Sequence, residues 1–335
     1  MKLLPGKIPI DILKDVIFKN IGAKREEVIL GPSAGIDGAI ISLGDKSLVI
    51  SMDPITGAIE QIGWLSVNVN ANDVATFGVE PAYLLSCILL PENADRQVVE
   101  IISVQLDKAA KDLGIAIVGG HCEVTPGLTN PIVIGCMMGI TEKENYVTAG
   151  GAKSGDNIIL TKSAGIEGTA ILASDREQQL KKVMRVPMLQ NAKNFYNQIS
   201  VVKDAITAYK TGGVHAMHDP TEGGVAGGIH EMADASNLGV TIFEEKIWVK
   251  PETVKICEFF KIEPLQLVSS GALLISAKPE SANRIIGKLA KQQIHAAIIG
   301  EFSENWNERV MIGKDGKIQN LPRPLSDHLW TALAR

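Results

Sequence analysis

The chain has 335 residues, 45% of them hydrophobic and 21% charged, which is material for two globular domains of ordinary size. A formal charge of −5 and only 4% aromatic residues exclude a phosphate-backbone binder and a base-stacking platform. Glycine is the departure, at 32 of 335 residues against a usual share of about 7%.

The opening stretch Met1–Gly6 breaks at Pro5-Gly6, before the apolar core of a signal peptide can form. Short β-rich runs at Ala39–Leu43 and Ser47–Ser51 flank Gly44-Asp45, which predicts a hairpin. A helix is expected over Gly57–Phe77, then a strand Tyr83–Leu90, a helix Ala94–Leu113, and strands Ile115–Val118 and Pro131–Ile140. The longest apolar runs, Tyr83–Leu90 and Ile132–Ile140, fall far short of the ~20 residues a membrane span needs. Gly150-Gly151 and Lys153–Asp156 mark a boundary. The second half restarts with a strand Asn157–Thr161, a helix opening near Gly165 and a mainly helical stretch Met188–Tyr209. A glycine-dense turn over Thr211–Gly228 leads into a helix Val225–Ser236. Strands Val240–Phe243 and Ala272–Ala277 and a helix Ser281–Gln292 complete the pattern. The reading is an α/β chain of two domains, 1–150 and 151–335. Four widely spaced cysteines (Cys87, Cys122, Cys136, Cys257) form no CxxC pair, which predicts a cytoplasmic protein without a zinc ribbon.

Familiar catalytic signatures fail. There is no GxxxxGK[ST], no GxGxxG after a strand and no GxSxG, and His230–Asp234 breaks the HExxH pattern at its last position. What remains is a set of carboxylates at turns. Asp37 lies in a glycine loop before a strand, and Asp53 ends the strand Ser47–Ser51. Ile62, Val69, Asp73 and Phe77 recur on one helical face, so Asp73 falls in an apolar stripe. An unpaired charge there costs several kcal/mol, and a hard cation such as Mg²⁺ would compensate it. The competing reading makes Asp37 and Asp53 solvated loop acids and pairs Asp73 with a buried Lys or Arg.

The segment Gly119-Gly120-His121-Cys122-Glu123 is read as a loop after a strand. Its glycines would let amides approach an anion, with His121 and Glu123 as a base or ligand, although a plain turn fits as well. Cys122 is a nucleophile or, preferably, a buried inert thiol. The densest signal is His218-Asp219-Pro220-Thr221-Glu222-Gly223-Gly224, opening a helix. Glycines in early turns weaken a helix by about 1 kcal/mol each, and make sense where a phosphate or another backbone comes close. A metal site from His215, His218, Asp219 and His230 is the weaker alternative.

In motif order these segments resemble the PurM-like (AIR synthase-related) superfamily. The Gly35–Gly38 loop with Asp37 is similar to its Gly-Asp-Asp-Ala-Ala-Val element, Asp53 to its strand-end Asp, and Asn72–Pro81 to its Asn-Asp-Leu-Ala-Ala-Met-Gly-Ala-x-Pro helix. Gly119-Gly120-His121 falls at its Gly-Gly-Asp or Gly-Gly-Glu. His218–Gly224 resembles the His-Asp-Pro-Thr-Arg-Gly-Gly of the HypE members, and Ser269–Ile275 their Ser-Ser-Gly-Thr-Leu-Leu run. The resemblance implies a mixed α/β fold of two domains, the first pairing into a barrel-like homodimer core. It implies ATP and Mg²⁺ as cofactors, with the metal on Asp37, Asp53 and Asp73. Asn72, Gly119, Gly120, Glu123, Gly223 and Gly224 would contact the nucleotide, and His121, His218, Asp219 and Thr221 would be catalytic. The implied chemistry phosphorylates an amide-type carbonyl of a small-molecule or protein acceptor and then expels phosphate, in hydrogenase maturation. A small-molecule kinase resembling thiamine-monophosphate kinase, or a non-catalytic nucleotide-binding partner of a maturation complex, is the alternative. Glu222 stands where the HypE motif has Arg, His121 where the family has an acid, a single Asp37 where it has an Asp pair, and the last cysteine is Cys257 rather than a terminal one.

Overall fold

The computed structural model describes residues 3, 6–56 and 59–335. The expected break at Met1–Gly6 and the first residue of the helix expected from Gly57 therefore fall largely outside the described residues. The first half holds α1 (Ile10–Ile12), β1 (Val28–Leu30), β2 (Gly38–Leu43), β3 (Lys46–Ile55), α2 (Ile62–Thr76), β4 (Tyr83–Leu90), α3 (Arg96–Leu113), β5 (Ala116–Val124) and β6 (Ile132–Glu142). Its six strands form one sheet in the order β1-β2-β3-β6-β4-β5. The β2–β3 hairpin pairs Leu43 with Lys46 and Gly38 with Ser51, so Asp37, just before β2, comes to rest beside the middle of β3.

Two helices cover this sheet for different reasons. In α3 the buried residues Ile102, Leu106, Ala109 and Ala110 make one stripe, and the Asp95 side chain caps the start by accepting from the amides of Gln97 and Val98. In α2 every residue but Trp64 is buried, because it lies between the sheet, α3 and the second domain. Its asparagines survive there because each is paired: Asn68 Nδ2 donates to Trp64 O, and Asn70 Nδ2 to Ser66 O and Asp53 O.

The second half holds β7 (Asn157–Thr161), α4 (Ile166–Asp175), α5 (Glu177–Leu180), α6 (Val186–Lys193), α7 (Val202–Thr211), β8 (Val214–His218), α8 (Gly224–Ser236), β9 (Gly239–Phe243), α9 (Pro251–Phe260), β10 (Leu274–Ala277), α10 (Pro279–Lys291), β11 (Ala296–Ser303), β12 (Arg309–Ile312), β13 (Ile318–Asn320) and α11 (His328–Leu333). A seven-stranded sheet runs β13-β12-β9-β11-β7-β10-β8. Ile158 and Leu160 of β7 enter one core and Ile159 the other, the two-residue alternation of a sheet covered on both faces. Ala75 of α2 joins the second of these cores, so the first domain's central helix is packed against the second domain.

Several expectations are corrected. Gly119–Glu123 is not a loop but the body of β5, paired in parallel with β4. A Cβ on Gly120 would lie 1.8 Å from Ser86 O, so close strand approach explains this glycine without any anion. Cys122 is exposed rather than buried. Asp53 lies within β3 rather than at its end, and the Thr211–Gly228 turn contains strand β8. No helix among the described residues is long and apolar enough to cross a membrane.

Candidate active site

Carboxylates from both domains converge where α2 and β3 face β8 and α8. Ser51 Oγ on β3 lies 2.6 Å from both Asp37 O and Asp73 Oδ2, within hydrogen-bond distance of each. Asp53 is fixed through its backbone, its amide donating to Asn70 Oδ1 at 2.8 Å. From the second domain, His218 at the end of β8 places Nδ1 3.1 Å from Asp37 Oδ2 and Nε2 2.8 Å from Glu231 Oε2. Asp219 follows, fully buried. One ligand atom each of Asp37, His218 and Asp219 lies within 4.8 Å of the others.

The electrostatics divide these groups into two kinds. Burial would raise the Asp37 carboxyl, but Lys7 and His218 beside it hold it far below the usual carboxylate range. Glu231 is likewise lowered against its burial by Lys7 and His218. Burial would lower His218, yet its contacts with Asp37 and Glu231 push it up to about 10, so it is an imidazolium. The remaining acids lack such partners. Burial and then the charge of Asp37 push Asp53 up to about 6. Burial pushes Asp219 up to about 7, with Asp37 and Asp53 adding to it against His218. Asp73 is raised well above the ordinary range, by burial first and then by Asp53, Asp219 and Asp37.

Three carboxylate oxygens, Asp73 Oδ1 and both of Asp219, are buried with no hydrogen-bond partner. No Lys or Arg pairs with Asp73 among the described residues; Ser51 is its hydrogen-bond partner. Carboxylates raised by burial and then by one another, as Asp53, Asp73 and Asp219 are, with buried oxygens left unpartnered, are what a hard divalent cation would relieve, so the donor set fits Mg²⁺.

Other expected site residues lie elsewhere or are already engaged. Gly119, Gly120, His121 and Glu123 sit on the exposed edge strand β5, three strands from β3 and hence about 14 Å away across the sheet. There His121 Nε2 lies 3.1 Å from Glu123 Oε2, and Thr125 also donates to Glu123. Asn72 does not line the cluster: its Oδ1 accepts from Val201 N at 2.7 Å and its Nδ2 donates to Ile199 O at 2.9 Å, tying the domains together. The amides of Gly223 and Gly224, expected to cradle phosphate, donate instead to Asp327 Oδ2 and Thr221 O. Thr221 lies in the turn between Asp219 and α8. The four-residue metal reading also dissolves, because His215 pairs with Asp156 and His230 with the carbonyls of Leu321 and Pro322.

Three further charged groups of the cleft were not singled out from the sequence. Glu231 had only its place in the broken HExxH as a signal, and Lys7 had none. Glu167, in the first turn of α4, is pushed up to about 7 by burial, with Asp327, Asp219 and Glu222 adding to it.

Residues 35–141 match the model of the N-terminal domain of AIR synthase related proteins, and residues 153–313 that of their C-terminal domain. The chain belongs to the AIR synthase-related family. Within that family it is similar to a Methanocaldococcus jannaschii protein named for hydrogenase expression and formation, 30% identical over 304 residues that span 88% of each chain. It is similar as well to the carbamoyl dehydratase HypE of Escherichia coli, 26% identical over 303 residues covering 88% of this chain and 84% of that one. A solved structure of the hydrogenase maturation protein HypE in complex with ATP shares the fold, with a TM-score of 0.72 and 21% identity over 98% of this chain and 97% of the other. The two-domain PurM-like architecture implied by the family resemblance is therefore the architecture of this AIR synthase-related chain.

Proposed function

We propose that this chain is an ATP- and Mg²⁺-dependent enzyme that phosphorylates and then dehydrates a carbamoyl-type acceptor in hydrogenase maturation. The observation that carries this reading is the interdomain cluster of Asp37, Asp53, Asp73 and Asp219, close enough to shift one another's titration, with the buried, unpartnered oxygens of Asp73 and Asp219. Its support from relatives is the carbamoyl dehydratase name of the E. coli protein and the ATP bound to the solved HypE.

Asp37, Asp53 and Asp73 would hold the metal, which supplies charge neutralisation for the terminal phosphate. Residues of this chain do the rest by position. The acceptor's carbonyl oxygen takes the terminal phosphoryl group as ADP departs. The oxygen then leaves as phosphate, and the two N–H protons are lost to give a nitrile. Asp219, pushed up to about 7, would take one of those protons at neutral pH, and the His218 imidazolium would stay charged through the reaction. No enzyme nucleophile is needed when an oriented acceptor meets a clamped phosphoryl group.

The test uses ATP, Mg²⁺ and a peptide bearing a carbamoylated cysteine. The expected result is ADP and phosphate release matched by loss of one water's mass from the peptide. A stable phosphorylated acceptor would place the chain with the small-molecule kinases instead, and nucleotide binding without turnover would make it a non-catalytic partner. Asp73→Asn is expected to lower turnover by roughly a hundredfold or more, since a preorganised charge at the reacting centre is lost. The same change should leave the unfolding midpoint in metal-free buffer unchanged or higher, because it removes a buried, repelled carboxyl.

A further inference from the structure

The carboxylate cluster has a cation that neither sheet supplies. Lys7, in the segment before α1, reaches across the interdomain cleft. Its Nζ stands 3.8 Å from Asp37 Oδ1 of the first domain and 3.7 Å from Glu231 Oε1 of the second. Both separations exceed hydrogen-bond length, so the ammonium is suspended as an ion-pair partner between two carboxylates, with no close hydrogen bond from its Nζ among the described residues. The side chain remains 45% exposed, open to a ligand that enters the cleft.

The backbone of this segment is tied down separately. The Lys7 amide donates to Glu222 Oε2 at 2.7 Å. Gly6, at φ +110°, is wedged so closely that a Cβ on it would lie 2.9 Å from Glu222 Oε2 and 3.3 Å from Trp330 Nε1. Glu222 is the position at which the motif resembled by His218–Gly224 carries Arg. An acid there adds negative charge to a cleft that already holds Asp37, Asp53, Asp73, Asp219 and Glu231. A triphosphate cannot approach such a set unless positive charge is delivered with it. Among the described residues of the cluster, His218 is committed to Asp37 and Glu231 on both ring nitrogens at hydrogen-bond distance, whereas Lys7 holds the same two carboxylates only at 3.7–3.8 Å and can turn its donors to a ligand.

We propose that Lys7 is a catalytic residue that contacts the terminal phosphate of the nucleotide, and that Glu222 is the positioning residue that holds the Lys7 segment in place. The charge carried by Arg on the Gly223 loop in the related motif is supplied here from the N-terminal segment, with the acid on the loop as its anchor. A lysine suits the task, being a compact point charge on a flexible stem. This inference rests on the phosphoryl-transfer reading of the site.

The experiment is calorimetric binding of Mg²⁺ with a non-hydrolysable ATP analogue, and separately with ADP, to the full chain. Wild type binds both. Lys7→Met is expected to weaken the ATP analogue by about tenfold or more, the loss of one charge-assisted contact, while ADP affinity stays within twofold. Lys7→Arg retains the analogue, and Lys7→Met combined with Glu222→Arg recovers it by returning the charge to the loop. An unchanged affinity in Lys7→Met, an equal loss for analogue and ADP, or a folded double variant without recovery would overturn the assignment. A wild-type chain that binds neither nucleotide would overturn the phosphoryl-transfer reading itself, and this inference with it.

Discussion

His230 shows how tertiary surroundings decide the chemistry of a side chain that a motif search would misassign. It is buried on α8, with Nε2 donating to the carbonyls of Leu321 and Pro322 and Nδ1 accepting from Arg323 Nη2 at 3.2 Å, a pattern that requires the neutral ring. Burial first, then the neighbouring Arg323, lowers it to about 4 from an ordinary 6.5, with Asp234 opposing. Because the folded chain binds this proton less readily than the unfolded one, stability is full above about pH 6.5 and is lost as pH falls toward 4. The loss amounts to about 3 kcal/mol from this group. Urea unfolding at pH 7 and pH 4.5 checks it: relative to wild type, His230→Gln should reduce the loss of stability on acidification by about 2 kcal/mol, and an unchanged loss would contradict the assignment. At this scale the sequence was informative where a residue violated its surroundings. Asp73 was legible because a carboxylate stood in an apolar helical stripe. Asp37 and Asp53 were legible as acids at a glycine loop and a strand end, and the family resemblance joined them to Asp73. Lys7 and Glu231 were not legible, since their roles exist only after the two domains close on them and no local pattern foreshadows that.

At the scale of elements, α2 is the joint of the molecule. One turn carries both Asp73, facing the carboxylate cluster, and Asn72, whose amide bonds the second domain at Ile199 and Val201. Replacing Asn72 by Ala leaves a buried carbonyl and a buried amide without partners, at about 1–3 kcal/mol each. Asn72→Ala should therefore lower thermal stability clearly while sparing the carboxylates; an unfolding midpoint within a degree of wild type would show that the tie is dispensable. From β2 to β6 most strands and helices of the first domain were readable from sequence pattern, Tyr83–Leu90 to the residue, whereas α1 and β1 were not expected. Gly119-Gly120 was misread for an instructive reason. A glycine pair is the usual mark of a loop, but here it serves the close approach of β5 to β4, where Ser86 O occupies the space of a side chain. The second domain's later strands, β11 to β13, passed unnoticed because short runs such as Arg309–Ile312 acquire strand character only from their neighbours.

The whole molecule presents one surface that a folded monomer does not account for. Strand β5 is the terminal strand of the first sheet, and all nine of its residues are exposed. Ile117, Val118 and Val124 on it, with Tyr83 and Leu85 on β4 beside it, place apolar side chains at an unpaired edge. Edges of this length are ordinarily shortened, charged or covered, because their free amides and carbonyls template pairing with another chain. Nothing among the described residues of this chain covers it. Pairing of two copies through this edge would continue the sheet across a two-fold axis and bury the apolar rim. His121 and Glu123 would then lie within the interface rather than at a solvent edge, which gives these residues a place in the assembly that they lack in the single chain. Val118→Lys puts a charge in the middle of that edge without disturbing the buried core. Sedimentation should find the wild-type chain at twice its monomer mass and Val118→Lys at the monomer mass, with the Mg²⁺–nucleotide affinity of the carboxylate cluster as a control for folding. A wild-type chain that sediments as a monomer at tens of micromolar would remove the dimer and leave the β5 edge to some other partner.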